Sequence, residues 1–400
     1  MPVATAIRET LGSQSLIRKM FEEGTLLKKQ HGTDKVFDFS LGNPDLEPPP
    51  AFHSVFLKLA GEDAKGSHGY MNNAGFPEVR EALARKTSSE HGVSIDGSHI
   101  IMSCGAAGGL NVVLKSILNP GDEVIVSRPY FMEYRPYALN HGGRIVEVDS
   151  LPDFNLDVEA IKAKLTPQTA AVLINSPHNP TGRIYSAETI KRLAEVLTEH
   201  GSSCGRAPYL IADEPYRELA YDGAKVPPIL SCYPESIVVN SYSKSLSLPG
   251  ERIGFIAIGP DTADKQNLLG AFTYATRVLG YVNAPALMQR IVAELTEAKV
   301  DIDVYAKRRA AFMQILDEAG IEYSKPEGAF YLFCKVPNGH QAPGGDDAAF
   351  VDHLKKYLVL GVPGTGFAKP GWMRFAYCVD EKIIKAAGEA FKKAMETWGK

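Results

Sequence analysis

The segment Ile237–Ile258, IVVNSYSKSLSLPGERIGFIAI, starts and ends in short apolar runs and holds between them a hydroxyl-rich turn around one lysine, Lys244. Runs of this length, rich in Val and Ile and bounded by Ser, Pro and Gly, read as buried strands. Working outward, the same pattern recurs from about Ser98 to Pro260. His99–Cys104, Glu123–Ser127, Arg144–Val148, Ala171–Asn175 and Tyr209–Asp213 join Ile237–Ser241 and Gly254–Ile258 as candidate strands. Amphipathic helices separate them; in Glu188–His200, for example, Ile190, Leu193, Ala194, Val196 and Leu197 recur at helical spacing. Strands and helices in alternation predict an α/β domain with a mostly parallel seven-stranded sheet between helices.

Beyond Pro285 the pattern changes to long helices, about 286–299 and 301–319, then strands near 330–335 and 373–378 and a final helix over about 381–398. A chain of 400 residues exceeds what one core usually organises. The expected division is a large domain over 50–285 and a smaller α+β domain made of 1–49 and 286–400, because the first fifty residues are too few for a core of their own. Lys335–Asp347, with NGHQAPGGDD, reads as an exposed loop.

The formal charge of −4 gives no basic field that would draw the chain to nucleic acid or an anionic membrane, so small-molecule chemistry is the default. The N-terminal stretch carries Arg8, Arg18, Lys19, Lys28 and Lys29 but no apolar run of signal-peptide or membrane-span length, and a cytoplasmic protein is expected. The five cysteines form no C-x-x-C pair, and with no histidine expected beside them at metal-ligand spacing they read as reduced structural thiols. No metal site is expected.

Three stretches carry candidate chemistry. Gly105-Ala106-Ala107-Gly108-Gly109 links a strand to a helix, where small residues let backbone N–H groups approach a phosphate, although tight helix packing would call for the same residues. Asp213 ends a very apolar strand and is followed by Glu214, Pro215 and Tyr216, which places a carboxylate at the crevice where doubly wound sheets bind ligands; an acidic residue opening a loop would look alike. In the third stretch Ser241, Ser243 and Arg252 are phosphate-holding groups around an amine, Lys244, that can condense with an aldehyde. Phosphate cup, carboxylate and amine are together the parts a pyridoxal phosphate site requires.

With these residues in place the chain resembles the fold type I pyridoxal-phosphate enzymes, specifically the class I/II aminotransferases of the aspartate aminotransferase kind, from about Phe37 to Met395. The resemblance rests on Ser241-x-Ser243-Lys244 with Arg252 eight residues on, on Asn175-Ser176-Pro177-His178-Asn179-Pro180-Thr181-Gly182, and on Asp213-x-x-Tyr216. It implies that Lys244 carries pyridoxal 5′-phosphate as a Schiff base, that Asp213 pairs with the pyridine nitrogen, and that Asn179 and Tyr216 bond the ring oxygen. It further implies that Gly105, Ala106, Ala107, Ser241, Ser243 and Arg252 hold the phosphate. The family often has a hydroxyl where Ala106 or Ala107 stands, so backbone amides carry more of that task here. Phe131 matches the aromatic that stacks on the ring, Arg374 the arginine that grips the substrate α-carboxylate, and Gly42 the glycine at the substrate entrance.

Tyr70 matches a tyrosine that reaches the cofactor phosphate of the neighbouring subunit, which implies a homodimer with composite sites. Arg277 lies near the place of the partner arginine that binds a distal carboxylate, but one residue off the family spacing before Tyr281. The resemblance implies ping-pong transfer of an amino group from an L-amino acid, aspartate first and alanine or an aromatic and branched range second, to 2-oxoglutarate. Two other functions share much of the pattern. Carbon–sulfur lyases keep the same lysine, aspartate and arginine, and aminotransferase-like domains serve as effector sensors in transcription regulators, which carry an added N-terminal DNA-binding module. Here the motifs begin near Phe37, too early for such a module.

Overall fold

The computed structural model describes residues 3, 4, 7, 8, 16–62, 65–337 and 346–399. Most of the exposed loop expected over Lys335–Asp347, and much of the stretch before Leu16, lie outside the described residues. After the two-residue strand β1 (Phe37–Asp38) come the strands β2 (Ile100–Ser103), β3 (Glu123–Arg128), β4 (Arg144–Asp149), β5 (Thr169–Asn175), β6 (Tyr209–Asp213), β7 (Ser236–Ser241) and β8 (Gly254–Ile258). They form one seven-stranded sheet in the order β2-β8-β7-β6-β5-β3-β4. The pairs β3–β4, β3–β5, β5–β6 and β6–β7 are parallel, and only β8 runs antiparallel to its neighbours β2 and β7. The expected strands are all present, with ends moved by one or two residues.

Both faces of this sheet are covered, which is why its strands read as continuous apolar runs. Every residue of β5 is buried. Val172 and Ile174 pack with Leu83, Leu193 and Leu210 on one face, while Ala171 and Leu173 pack with Val113, Ile211 and Phe272 on the other, the two-residue period of a strand. The helix expected over Glu188–His200 extends over Ala187–Cys204. Ser186 caps its start by accepting from the Thr189 N–H, and Gly205 ends it in the left-handed region at φ 75°.

A second, antiparallel sheet of four strands has the order β12-β13-β10-β9, where β9 is Tyr323–Ser324, β10 Tyr331–Lys335, β12 Val362–Pro363 and β13 Trp372–Ala376; β11 (Val359–Leu360) pairs parallel with β1. Phe39, Phe312, Phe375 and Phe391 join at the centre of the core beside it. Two expected helices are shorter than read. The first stops at Glu294, and Lys86 Nζ donates 2.6 Å to the Thr296 carbonyl just beyond its end. The last divides at Ala387 into Glu381–Ala386 and Gly388–Thr397, just before a glycine, the residue that loses most backbone freedom in a helix.

No helix among the described residues is long and apolar enough to cross a membrane. All five cysteines are free. The expectation that no histidine stands near one fails at Cys204, whose Sγ lies 3.4 Å from His200 Nε2, one helical turn away. Among the described residues no third ligating side chain completes a metal-sized cluster.

Candidate active site

The carboxyl ends of β5, β6 and β7 lie side by side, with Asn175 opposite Asp213 and Asp213 opposite Val239 in the ladder. Loops leaving these ends wall a cavity of about 510 Å³. Lys244 sits in the single helical turn Tyr242–Ser245 that follows β7. Its Nζ donates 2.8 Å to the Gly42 carbonyl and lies 5.3 Å from the Phe330 ring centre. Burial pushes the amine down to about 8, with Cys378 opposing the shift and the Arg374 and Arg252 charges adding to it.

Asp213 is also buried, and loss of water raises its carboxyl to about 7 against the effect of a 2.6 Å hydrogen bond donated by Tyr134 Oη to Oδ2. The other oxygen, Oδ1, is buried without a hydrogen-bond partner. The adjacent Glu214 points the other way. Burial opposes its charge, but Arg217 at 3.0 Å and His91 at 3.3 Å more than offset this and hold it below the usual carboxylate range. From one residue to the next the surroundings therefore change from a carboxylate with no ion pair among the described residues, hydrogen-bonded through one oxygen only, to an ion-paired one.

The phosphate side is a cradle of close approaches. Helix Gly105–Ile117 opens at Gly105, whose φ of +70° suits glycine, and a Cβ there would stand 2.7 Å from an Arg252 Nη. Ala106, Ala107, Ser241, Ser243 and Arg252 line the cavity on that side. At the opposite end Arg374, on β13, is only 2% exposed. Its guanidinium donates 3.0 Å to Asn179 Oδ1 and 2.7 Å to the Ser40 carbonyl, lies between the rings of Tyr331 and Phe367, and keeps Nε unpartnered. That burial excludes a surface role.

Two asparagines bridge these ends. Asn175 Nδ2 donates 2.7 Å to the Asp213 carbonyl, and its Oδ1 accepts at 2.7 Å from the backbone N–H of Asn179, whose side chain holds Arg374. Tyr216 Oη pairs at 2.8 Å with Tyr331 Oη. Gly42 and Phe131 also line the cavity, and a Cβ on Gly42 would collide with Tyr331 Oη.

Two expected residues are not brought there. Tyr70 is 94% exposed beside Tyr281, and Arg277 is exposed with its guanidinium 5.4 Å from the Tyr274 ring centre. In contrast, Tyr134 and Tyr331 reach the cavity without having been singled out, and Asn175, quoted within its motif, does so without having been given a role. Tyr134 had a readable signal, lying one helical turn after Phe131, whereas Tyr331 is placed by a sheet pairing that no local pattern reports.

The residues present fit pyridoxal phosphate: a buried amine, an orphaned carboxylate oxygen, a small-residue cradle beside the exposed Arg252, and the buried Arg374 for a carboxylate. An α/β fold with this constellation defines a site of the kind that fold type I pyridoxal-phosphate enzymes use. The sequence pattern of the family "Aminotransferase class I and II" matches residues 34–391, and the chain belongs to that family and is a transaminase. It is 34% identical over 375 residues to a probable aspartate/prephenate aminotransferase of Thermus aquaticus, covering 92% of this chain and 93% of that one. Among solved structures, an amino transferase from Eubacterium rectale superposes with a TM-score of 0.95 at 37% identity, covering all of both chains. Aspartate aminotransferase of Thermus thermophilus with maleate gives 0.85 at 29% identity over 95% of this chain and 96% of that one. The family is of the fold type I class, which uses pyridoxal phosphate, and acts on amino and oxo acids.

Proposed function

We propose that the chain is a pyridoxal-phosphate-dependent aminotransferase that moves the amino group of an L-amino acid, aspartate first, to 2-oxoglutarate in two half-reactions of a ping-pong cycle. The observation that carries this is one cavity holding the buried Lys244 amine, the unpartnered Asp213 Oδ1 and the buried Arg374. When bound, the cofactor supplies an aldehyde for amine exchange and a ring that takes up electrons as the Cα proton departs. The protein residues do the rest. Asp213, ionised, keeps a proton on the ring nitrogen through Oδ1. Ser241, Ser243, Arg252 and the amides at Gly105–Ala107 hold the phosphate, Tyr216 and Asn179 bond the ring oxygen, and Phe131 packs on the ring face.

Arg374 takes the substrate α-carboxylate with its planar pair of donors, and Gly42 leaves room at the entrance. An amine at about 8 has a neutral fraction at physiological pH, so Lys244 Nζ can accept the Cα proton and pass it on. The walls contributed by Leu41, Phe131 and Tyr331 keep water off that transfer and suit an apolar or aromatic donor side chain as second choice. Aspartate is favoured by the names of the relatives and by the maleate of the Thermus thermophilus enzyme, a dicarboxylate like aspartate. The same proposal includes a cytoplasmic homodimer in which Tyr70 and Arg277 serve the neighbouring site, and a division of the chain into 50–285 and 1–49 with 286–400.

The test is covalent. Borohydride treatment of the cofactor-loaded protein is expected to leave the phosphopyridoxyl group on the peptide containing Lys244 and no label in Lys244→Ala; labelling elsewhere, or persistent labelling in the variant, contradicts the site.

A further inference from the structure

Asp213 presents two oxygens that differ completely. Oδ2 accepts at 2.6 Å from Tyr134 Oη, and Oδ1 has no partner although buried. Tyr134 is itself only 3% exposed, in the six-residue helix Tyr134–Leu139, and both groups of the bond are shielded from water. Its ring also stands edge-on to Phe131, with centres 5.7 Å apart and planes at 85°, and lies nearly parallel to Tyr130 at 6.4 Å. One side chain thus touches both the aromatic placed against the cofactor face and the carboxylate placed at its ring nitrogen.

We propose that Tyr134 is a positioning residue for transamination: its hydroxyl occupies Oδ2 of Asp213, turning Oδ1 toward the ring nitrogen and stabilising the ionised carboxylate, while its ring fixes the plane of Phe131. This rests on the reading of Asp213 as partner of the ring nitrogen. The argument is one of satisfaction. A carboxylate with two open oxygens in a dry cavity would rotate about its last bond and hold its proton more strongly; a donor on one oxygen restrains the rotation and opposes the upward shift that burial imposes. The titratable groups that act on Asp213 are Tyr134 and Tyr137 from the short helix and Glu214 and Tyr216 from its own strand end, and Glu133, Lys244, Arg252, Tyr331 and Arg374 line the same cavity. Of these Tyr134 alone makes a hydrogen bond to the Asp213 carboxylate. Glu214 raises the Asp213 carboxyl, opposite in sign to Tyr134.

The experiment separates this from a merely packed tyrosine. The Asp213 carboxyl is titrated in the apoprotein by carbon NMR of labelled aspartate, assigned by loss of the signal in Asp213→Asn. Tyr134→Phe keeps the ring and removes the donor, and it is expected to move the Asp213 titration up by about one pH unit. Tyr130→Phe, which strips a hydroxyl from the stacked ring without touching Asp213, is expected to leave it in place. For the cofactor, Tyr134→Phe is expected to bind pyridoxal phosphate about tenfold more weakly in the wild-type background and to have no further effect in Asp213→Asn. An unmoved Asp213 titration, or an equal loss of affinity in both backgrounds, overturns the proposal. If Asp213→Asn itself binds the cofactor as tightly as wild type, the reading of Asp213 fails, and the apoprotein titration still reports on Tyr134 alone.

Discussion

At the carboxyl ends of β5, β6 and β7 the chain closes a site upon itself, whereas the face carrying Tyr70 and the helix face carrying Tyr274 and Arg277 are left open. In the first region Asp213, Asn175, Asn179 and Arg374 are buried and hydrogen-bonded within the chain, with Asp213 Oδ1 and Arg374 Nε left without partners among the described residues. In the second, Tyr70 is 94% and Tyr274 58% exposed, and none of the three lines the cavity. On the proposed reading, most cofactor contacts and the α-carboxylate contact come from one chain, and Tyr70 of the neighbouring subunit adds to the phosphate side. On the same reading, recognition of the distal part of the substrate falls to Arg277, which this chain holds outside its own site.

That contrast can be broken most sharply at Lys244. Lys244→Ala is expected to lower kcat by more than about 10³-fold, since no other amine in the cavity can move the Cα proton; substantial turnover of the cofactor-loaded variant removes Lys244 from the chemistry. Next comes Asp213 in the apoprotein. Its carboxyl is raised from 3.8 to about 7, so between these values the folded state holds a proton that the unfolded state has released, and stability must fall as pH rises across that window. The loss is on the order of 4 kcal/mol. Denaturant unfolding of wild type and Asp213→Asn at pH 5 and 7.5 is expected to show the wild type losing ground to the variant at the higher pH, and equal pH dependence contradicts the burial argument.

Arg374→Lys is expected to cost about 100-fold in kcat/KM for every amino acid alike, because an ammonium cannot reproduce the two-pronged contact made through a buried, ring-sandwiched guanidinium. A loss confined to dicarboxylates would reassign it. The smallest effect belongs to the open region: Arg277→Ala is expected to reduce kcat/KM for aspartate about tenfold and leave alanine unchanged, and an unaltered aspartate value excludes the distal contact.

The closed region was also the legible one. Lys244 and Asp213 each follow an uninterrupted apolar strand, so their place at a strand end could be read from local pattern, and Arg252 lies before the next strand of the same kind. Arg374 was legible only through resemblance, since nothing local says that β13 turns it inward between Tyr331 and Phe367. Asn175 stood within the quoted motif, yet its bridging of Asp213 and Asn179 depends on the parallel register of β5 and β6. Tyr134 shows the limit most clearly: its bond to Asp213 spans 79 positions and joins a six-residue helix to a strand two places across the sheet. Helix ends were misread where tertiary contacts took over, as at Thr296 and Lys86.

The most direct test of the central claim is a stopped-flow absorbance record of the cofactor-loaded enzyme mixed with single amino acids, first without an acceptor and then with 2-oxoglutarate. The account predicts that aspartate converts the cofactor to its aminated form in one half-reaction and that 2-oxoglutarate restores the starting spectrum. A spectrum that stays unchanged while cysteine or cystathionine yields pyruvate and ammonia without an acceptor would contradict it and assign the same residues to elimination.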